Sequence, residues 1–202
     1  MQRLIYCIFV FALFLKFDLA KGDEYFAFVG EKISVERIDP SPDTIQFSQK
    51  YNAKYRVLDI VYGNYNSEII EFTLYSHKGS PAFAGFEHVL LYMTVHEGKY
   101  YHHNVYSPLF ETVDGEWAGP YYTNGYSYKT NIEPEIIFFQ KPVSFDISQL
   151  PFEYINEFYP KPYYKYQNKR AIAVYGNYVP ELFLLALNGV LRADDFNPGR
   201  DQ

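Results

Sequence analysis

Short segments with alternating apolar and polar residues, separated by turn residues, recur along the first half of this chain. In residues 68–75, Ile70, Phe72 and Leu74 alternate with polar or charged neighbours, which is the period-two pattern of a half-buried strand. Other strand-like segments cover residues 25–35, 53–62, 86–95 and 99–106. An aromatic content of 20% agrees with this pattern, because Tyr and Phe favour the pleated surface of a sheet. The sequence therefore predicts a mainly β protein.

Turn residues predict how two of these strands pair. Residues 97–98 are Glu-Gly, a dipeptide that suits a two-residue hairpin turn. The expected cross-strand pairs are Val95 with Tyr100, Met93 with His102 and Tyr92 with His103. In the first strand, Gly30 predicts a β-bulge or a close approach of another group to the backbone.

The C-terminal part of the chain has a different character. Six prolines interrupt residues 119–169, so we expect short strands and loops that wrap over the core. Residues 180–188 contain no breaker after Pro180 and are followed by Gly189. Pro in the first turn and Gly just past the end are typical helix limits. We therefore expect one C-terminal helix packed on the sheet.

The N terminus has the three parts of a secretory signal peptide. Arg3 precedes an apolar run over residues 4–15, and the small residue Ala20 follows. The run is shorter than the roughly 20 apolar residues that a membrane-spanning helix needs. We expect cleavage after Ala20, while Lys16 and Asp18 leave an uncleaved anchor as the alternative.

Export and composition define the expected domain organisation. Residues 1–20 are the predicted signal peptide and contain Cys7, the only cysteine. An exported chain without thiols predicts a periplasmic or extracellular protein that forms no disulfide. Residues 21–202 are long enough for a single β-rich domain without such bonds. Its expected parts are a barrel-like core (25–118), a Pro- and Tyr-rich wrap (119–170) and a strand with the C-terminal helix (171–193).

The formal net charge of −6 argues against general affinity for nucleic acid or anionic lipid, since both require a basic face. We therefore expect no nucleic-acid partner, and membrane contact only through an uncleaved signal. An unidentified protein is the expected partner, with a glycan as the alternative.

Two N-terminal segments resemble a known superfamily. Residues 28–35 read F-V-G-E-K-I-S-V and residues 55–63 read Y-R-V-L-D-I-V-Y-G. This pair is similar to the opening of the netrin-module and tissue-inhibitor-of-metalloproteinase superfamily, and exported bacterial proteins also share the general layout. The resemblance implies a fold of the oligonucleotide/oligosaccharide-binding (OB) type. It does not carry over inhibition, because those inhibitors chelate zinc through an N-terminal Cys that this chain lacks.

The expected fold is thus an OB-like barrel or a strongly curved antiparallel sheet, with one C-terminal α-helix. Histidine spacing predicts no metal site in it. His103 shares a face with His88 and His96 but lies four residues along the strand from each, which is roughly 13 Å. His102 points to the opposite face. We therefore assign no metal ligand and no cofactor.

Motifs of catalysis are also missing from the sequence, so we assign no catalytic residue. There is no nucleophile elbow, phosphate loop or dinucleotide fingerprint. Asp114 and Glu116 beside Trp117 are the best acidic candidates, because a Trp next to an acid can line a glycan site or raise the pKa of a carboxyl group. The simpler alternative is that Asp114 begins a hairpin turn and Trp117 fills the core.

The best binding candidate is residues 159–170, which interleave rings and cations without an acid. The residues we assign to binding are Tyr159, Lys161, Tyr163, Tyr164, Lys165 and Tyr166 of this segment, together with Trp117. Such a segment can stack on sugars or grip an acidic partner, or it can simply cover a sheet edge. If it binds, replacing Tyr163, Tyr164 and Lys165 by Ala should abolish partner capture and leave the melting curve unchanged.

Two functions remain open on these observations. The first is an exported, non-enzymatic protein-binding module, such as an inhibitor or an envelope interaction protein. The second is an envelope glycan-binding protein or glycan hydrolase that uses the acids near Trp117. A pocket with two carboxylates about 5–10 Å apart beside Trp117 would favour the enzyme. A shallow Tyr-rich surface around residues 161–169 would favour the binding module.

Overall fold

The structure is a computed structural model that describes residues 24–40, 48–128 and 130–193. Within this part of the chain the protein is mainly β, as expected, and a C-terminal helix packs on a large antiparallel sheet. The predicted signal peptide, residues 1–20, lies outside the described residues. Among the helices that the structure describes, none has the length and apolar character needed to cross a bilayer.

Two sheets contain the described strands. The eight strands of the larger sheet are β1 (Glu24–Ile38), β2 (Gln49–Tyr62), β3 (Ile69–Ser76), β4 (His88–His96), β5 (Lys99–Glu111), β6 (Trp117–Pro120), β7 (Glu135–Ile136) and β11 (Tyr175–Tyr178). The smaller sheet contains β8 (Ser144–Asp146), β9 (Tyr164–Gln167) and β10 (Arg170–Ala173). The α-helices are α1 (Phe152–Phe158), α2 (Val179–Asn188) and α3 (Val190–Ala193), and short 3₁₀ turns cover Ala82–Gly85 and Thr123–Tyr126.

The large sheet is strongly curved but not closed. Its strand order is β3-β2-β1-β4-β5-β6-β11-β7, and the first four strands of this order form a Greek key. In a flat sheet β3 and β5 would lie roughly 19 Å apart, because neighbouring strands are about 4.8 Å apart. They are nevertheless in contact. Of the two expected forms, the OB-like barrel and the curved antiparallel sheet, the structure has the second. It is similar to a partly open Greek-key barrel.

Strand β1 makes this curvature possible. It pairs with β2 on one side and with β4 on the other, and its register with β2 shifts at three places, including Val29/Gly30. Such irregularities bend a strand and increase its twist. A Cβ at Gly30 would lie 2.8 Å from the ring of Phe28 and 3.1 Å from that of Tyr55. Gly30 is thus both a bulge position and a close-approach position, which confirms the prediction.

Both faces of the large sheet are covered. One face buries rings such as Phe28, Tyr55 and Phe72 inside the curve of the sheet. The other face packs against α2, which contributes Leu182 and Phe183. The helix begins one residue before the expected range, at Val179, and ends at Asn188 with Gly189 after it.

The wrap expected for residues 119–170 builds a core of its own. The small sheet encloses Val143, Ile147, Tyr164 and two alanines, with several Tyr and Phe rings packed around them. Its strands are three or four residues long, which agrees with the frequent prolines.

The β4–β5 hairpin keeps the predicted register only near its turn. Val95 lies opposite Tyr100, and Met93 lies opposite His102, as expected. The expected pairing of Tyr92 with His103 is wrong, because a register shift separates Met93 from Leu91 and the latter lies opposite Tyr106. Extra residues in β5 cause the shift, and no turn residue in the sequence marks it.

Candidate functional site

A cleft opens between the large sheet and the N-terminal half of helix α2. Its volume is about 450 Å³, which falls in the range of roughly 300–1,000 Å³ that ligand sites occupy. Strands β1, β2 and β6 line one side and α2 lines the other. The lining residues are Val29, Asp59, Ile60, Val61, Glu116, Trp117, Tyr178, Val179, Pro180, Phe183 and Leu184.

The walls of the cleft are mostly apolar and are held in place from behind. Phe183 stacks on the rings of Tyr62 and Tyr92, with centroid distances of 5.5 and 6.2 Å. Tyr92 is completely buried and Val29 is almost so. Leu184, one residue further along the helix, is 43% exposed. The cleft thus combines a firm floor with an accessible apolar edge.

The β5–β6 turn sets the position of Trp117. The side chain of Thr112 holds the turn together by hydrogen bonds. Its hydroxyl accepts a hydrogen bond from the backbone N–H of Glu116 at 3.0 Å and donates one to the carboxylate of Asp114. Trp117 then lies opposite Glu111 at the start of β6. Asp114 therefore serves the turn, as the simpler sequence interpretation holds, whereas Glu116 and Trp117 line the cleft.

Carboxylates make the polar side of the cleft negative. Asp59 on β2 and Glu116 before β6 both line it, and so does Tyr178. Desolvation and the nearby charges of Asp114 and Glu135 raise the pKa of the Tyr178 hydroxyl above its ordinary value. Desolvation is the larger of these causes, so the negative charge of this side rests on the carboxylates themselves.

A second polar group adjoins Trp117. The imidazole of His88 lies against its indole, with 4.4 Å between ring centroids. One potential ligand atom from each of Glu31, Glu87 and His88 lies within 4.8 Å of the others. The guanidinium of Arg56 forms an ion pair with Glu31. This group of carboxylates and imidazole can hold a cation.

Of the rings assigned to residues 159–166, Tyr164 lies in the core of the small sheet, and the other three are half-buried and pack against it. Tyr163 stacks on Tyr121 at 3.8 Å between centroids. Tyr164 is buried and donates to the carbonyl of Tyr121 at 2.6 Å, and Tyr166 donates to the carbonyl of Tyr159 at 2.7 Å. These four rings therefore support one another and the small sheet.

The cations of the same segment remain at the surface. Lys161 lies 5.3 Å above the ring of Tyr166, and both Lys161 and Lys165 are exposed. Trp117, the remaining residue assigned to binding, lies at the cleft instead. The structure therefore divides the assigned binding residues between two places.

Sequence reasoning found Trp117 and Glu116 but missed the partners that surround them. Asp59 looked like an ordinary polar position in a strand, and Glu31 lies far from His88 in the chain. The pairing of β1 with β4 brings the last two together. The signal that could have found this group is a carboxylate opposite a histidine on a neighbouring strand. The sequence analysis considered only pairs of histidines.

Comparison with known proteins identifies no relative of this chain, so any functional conclusion must rest on the site itself. No protein-family model matches the sequence, and no curated protein or solved structure matches it either. The resemblance of residues 28–35 and 55–63 to the netrin-module superfamily stays a prediction.

Proposed function

We propose that this protein is an exported binding module that holds a segment of a partner protein in the Trp117 cleft. The observation that carries the proposal is the combination of an apolar cleft of about 450 Å³ with carboxylates on one side. Export rests on the N-terminal signal pattern of residues 1–20.

The chemistry of the cleft describes the segment that it would bind. The apolar walls suit one or two aliphatic or aromatic side chains, whose burial supplies most of the affinity. Asp59 and Glu116 suit a Lys or Arg next to that anchor, because opposite charges steer association and fix orientation. Trp117 offers a large, firmly held surface of the kind that dominates binding energy in interfaces.

The cleft replaces residues 159–166 as the main contact surface of this proposal. Tyr164 is buried and the other rings of that segment already pack on the small sheet, so only part of their surface is free to contact a partner. Its exposed Lys161 and Lys165 can add only peripheral contacts, which contribute little to affinity at a solvated rim.

Capture from envelope extract, with the partner then purified, tests the proposal. We expect Leu184→Glu to weaken binding of that partner at least about tenfold, because it places a charge in the apolar edge. Ile69→Glu is the matched control, since Ile69 on β3 is 42% exposed, against 43% for Leu184. Equal binding by the wild type and Leu184→Glu would place the partner elsewhere and refute the role of the cleft.

The cleft also supports a second candidate, an envelope glycan hydrolase. Asp59 and Glu116 both line the cleft beside Trp117, and two carboxylates flanking a sugar are the usual catalytic pair of such enzymes. Release of reducing ends from envelope glycan is the measurement. Loss of that activity in both Asp59→Asn and Glu116→Gln would establish the hydrolase, and no release by the wild type would eliminate it.

A further inference from the structure

Three potential metal ligands lie beside the cleft but outside the walls used in the proposed function. Glu31, Glu87 and His88 each bring one ligand atom within 4.8 Å of the other two. They come from two neighbouring strands and from the residue just before one of them. Imidazole nitrogen and carboxylate oxygen together form a donor set that suits divalent transition metals such as zinc.

The backbone sets the closeness of these residues. Glu31 on β1 lies directly opposite His88 on β4 in the antiparallel register, and Cβ atoms at such positions are about 4.5–5.5 Å apart. The backbone N–H of Lys32 donates to the carbonyl of Glu87 at 2.7 Å. All three ligands are therefore tied to one point of the β1–β4 ladder, which folding creates without any metal.

Trp117 orients the histidine. Its indole lies against the imidazole of His88 with 35° between the ring planes. A ligand whose ring is already held by packing loses less conformational freedom when it binds. The contact also means that a metal bound to His88 would change the surroundings of the only tryptophan in the sequence.

We propose that Glu31, Glu87 and His88 form a zinc site at the edge of the cleft. Bonds of about 2.1 Å place the ligands of a tetrahedral zinc roughly 3.4 Å apart. Side-chain rotation can close the group to this size from its present spacing, most easily at Glu87, which is exposed. Three protein ligands leave the fourth position to water or to a donor atom of a bound partner.

Arg56 competes with the metal for one ligand. Its guanidinium forms an ion pair with Oε2 of Glu31, and zinc would place a second positive charge on the same carboxylate. Removal of the guanidinium should therefore strengthen zinc binding. This expectation separates a metal site from a purely structural group, in which loss of the ion pair would have no such effect.

Calorimetric titration of the purified protein with zinc chloride tests the proposal. We expect one zinc per chain with a Kd of about 10 µM or lower, at least about tenfold weaker binding in His88→Gln and Glu31→Gln, and severalfold tighter binding in Arg56→Gln. The matched control is His77→Gln, because His77 lies at the turn after β3 and outside the group. It should bind zinc as the wild type does.

A variant of the exposed ligand, Glu87, distinguishes loss of the zinc site from loss of folding. Glu87→Gln should weaken zinc binding while its melting curve matches that of the wild type, and zinc should change the Trp117 emission only where it binds. No binding to the wild type at about 1 mM zinc, or unchanged binding in both Glu87→Gln and His88→Gln, would overturn the proposal. Neither result touches the proposed partner binding, because the titration uses zinc alone.

Discussion

The imidazole of His88 packs against the indole of Trp117, with 4.4 Å between ring centroids. The same indole lines the cleft beside the N-terminal half of helix α2. The same imidazole belongs to the group formed with Glu31 and Glu87. The pair therefore joins the apolar and the charged parts of the site. A change at His88 should therefore alter the fluorescence of Trp117.

Removal of the imidazole should expose the indole to water. We expect His88→Ala to shift the Trp117 emission maximum to longer wavelength, because hydration stabilises the excited state of an indole. The matched control is His77→Ala, whose site lies away from this contact, and it should leave the spectrum unchanged. An unshifted spectrum in His88→Ala would mean that the two rings are not in contact in solution.

Acid should destabilise the fold through His102. The ring lies 4.8 and 5.7 Å from the rings of Phe83 and Phe72, and neither of its nitrogens has a hydrogen-bond partner among the described residues. The pKa of His102 is lowered from 6.5 to about 3, mainly by burial and to a smaller extent by the neighbouring His103, while the backbone of Val105 opposes the shift. Below pH 6.5 the unfolded chain therefore binds a proton that the folded chain does not.

The stability contributed by neutral His102 is complete above pH 6.5 and is lost as the pH falls from 6.5 towards 3. The loss between pH 7 and pH 5 should be on the order of 2 kcal/mol. His102→Leu removes this proton uptake, so its free energy of unfolding should fall less over that interval. Urea unfolding at both pH values measures the difference, and parallel profiles for the two proteins would contradict the burial of a neutral imidazole.

Tyr164 should matter to stability and Lys165 should not. Tyr164 is buried and donates a hydrogen bond to a backbone carbonyl, so Tyr164→Ala should cost about 3–5 kcal/mol, as other large aromatic truncations do. Lys165→Ala should change stability by less than about 0.5 kcal/mol. Thermal melts of the two single variants test this. The triple Ala variant including Tyr163 should then melt early, contrary to the expectation from sequence.

Gly176 should tolerate no side chain. A Cβ at this position would lie 2.0 Å from the carbonyl oxygen of Gly119 on the neighbouring strand β6, and backbone cannot move aside as a flexible side chain can. Gly176→Ala should therefore lower the free energy of unfolding by about 1–3 kcal/mol or more. Gly85→Ala is the control, because no atom lies within 4 Å of its added Cβ. Equal melting temperatures would show that β6 and β11 are not so closely paired.

Features that depend on neighbours along the chain could be predicted from the sequence alone. Alternation over residues 68–75 predicted β3, the Glu-Gly dipeptide predicted the turn of the β4–β5 hairpin, and Pro180 with Gly189 predicted helix α2. Each rests on local geometry, namely the two-residue period of strands, the twist of a tight turn and the limits of a helix. Such properties are readable wherever the residues stand.

Contacts between residues far apart in the chain could not be predicted in this way. The register shift in β5, the packing of Tyr163 and Tyr164 on the small sheet, and the meeting of Glu31 with His88 all depend on pairing between separated segments. A slip of one residue in such a pairing turns every side chain of a strand to the other face. The site therefore follows from strand register, which packing of the whole sheet selects and which no local pattern in the sequence specifies.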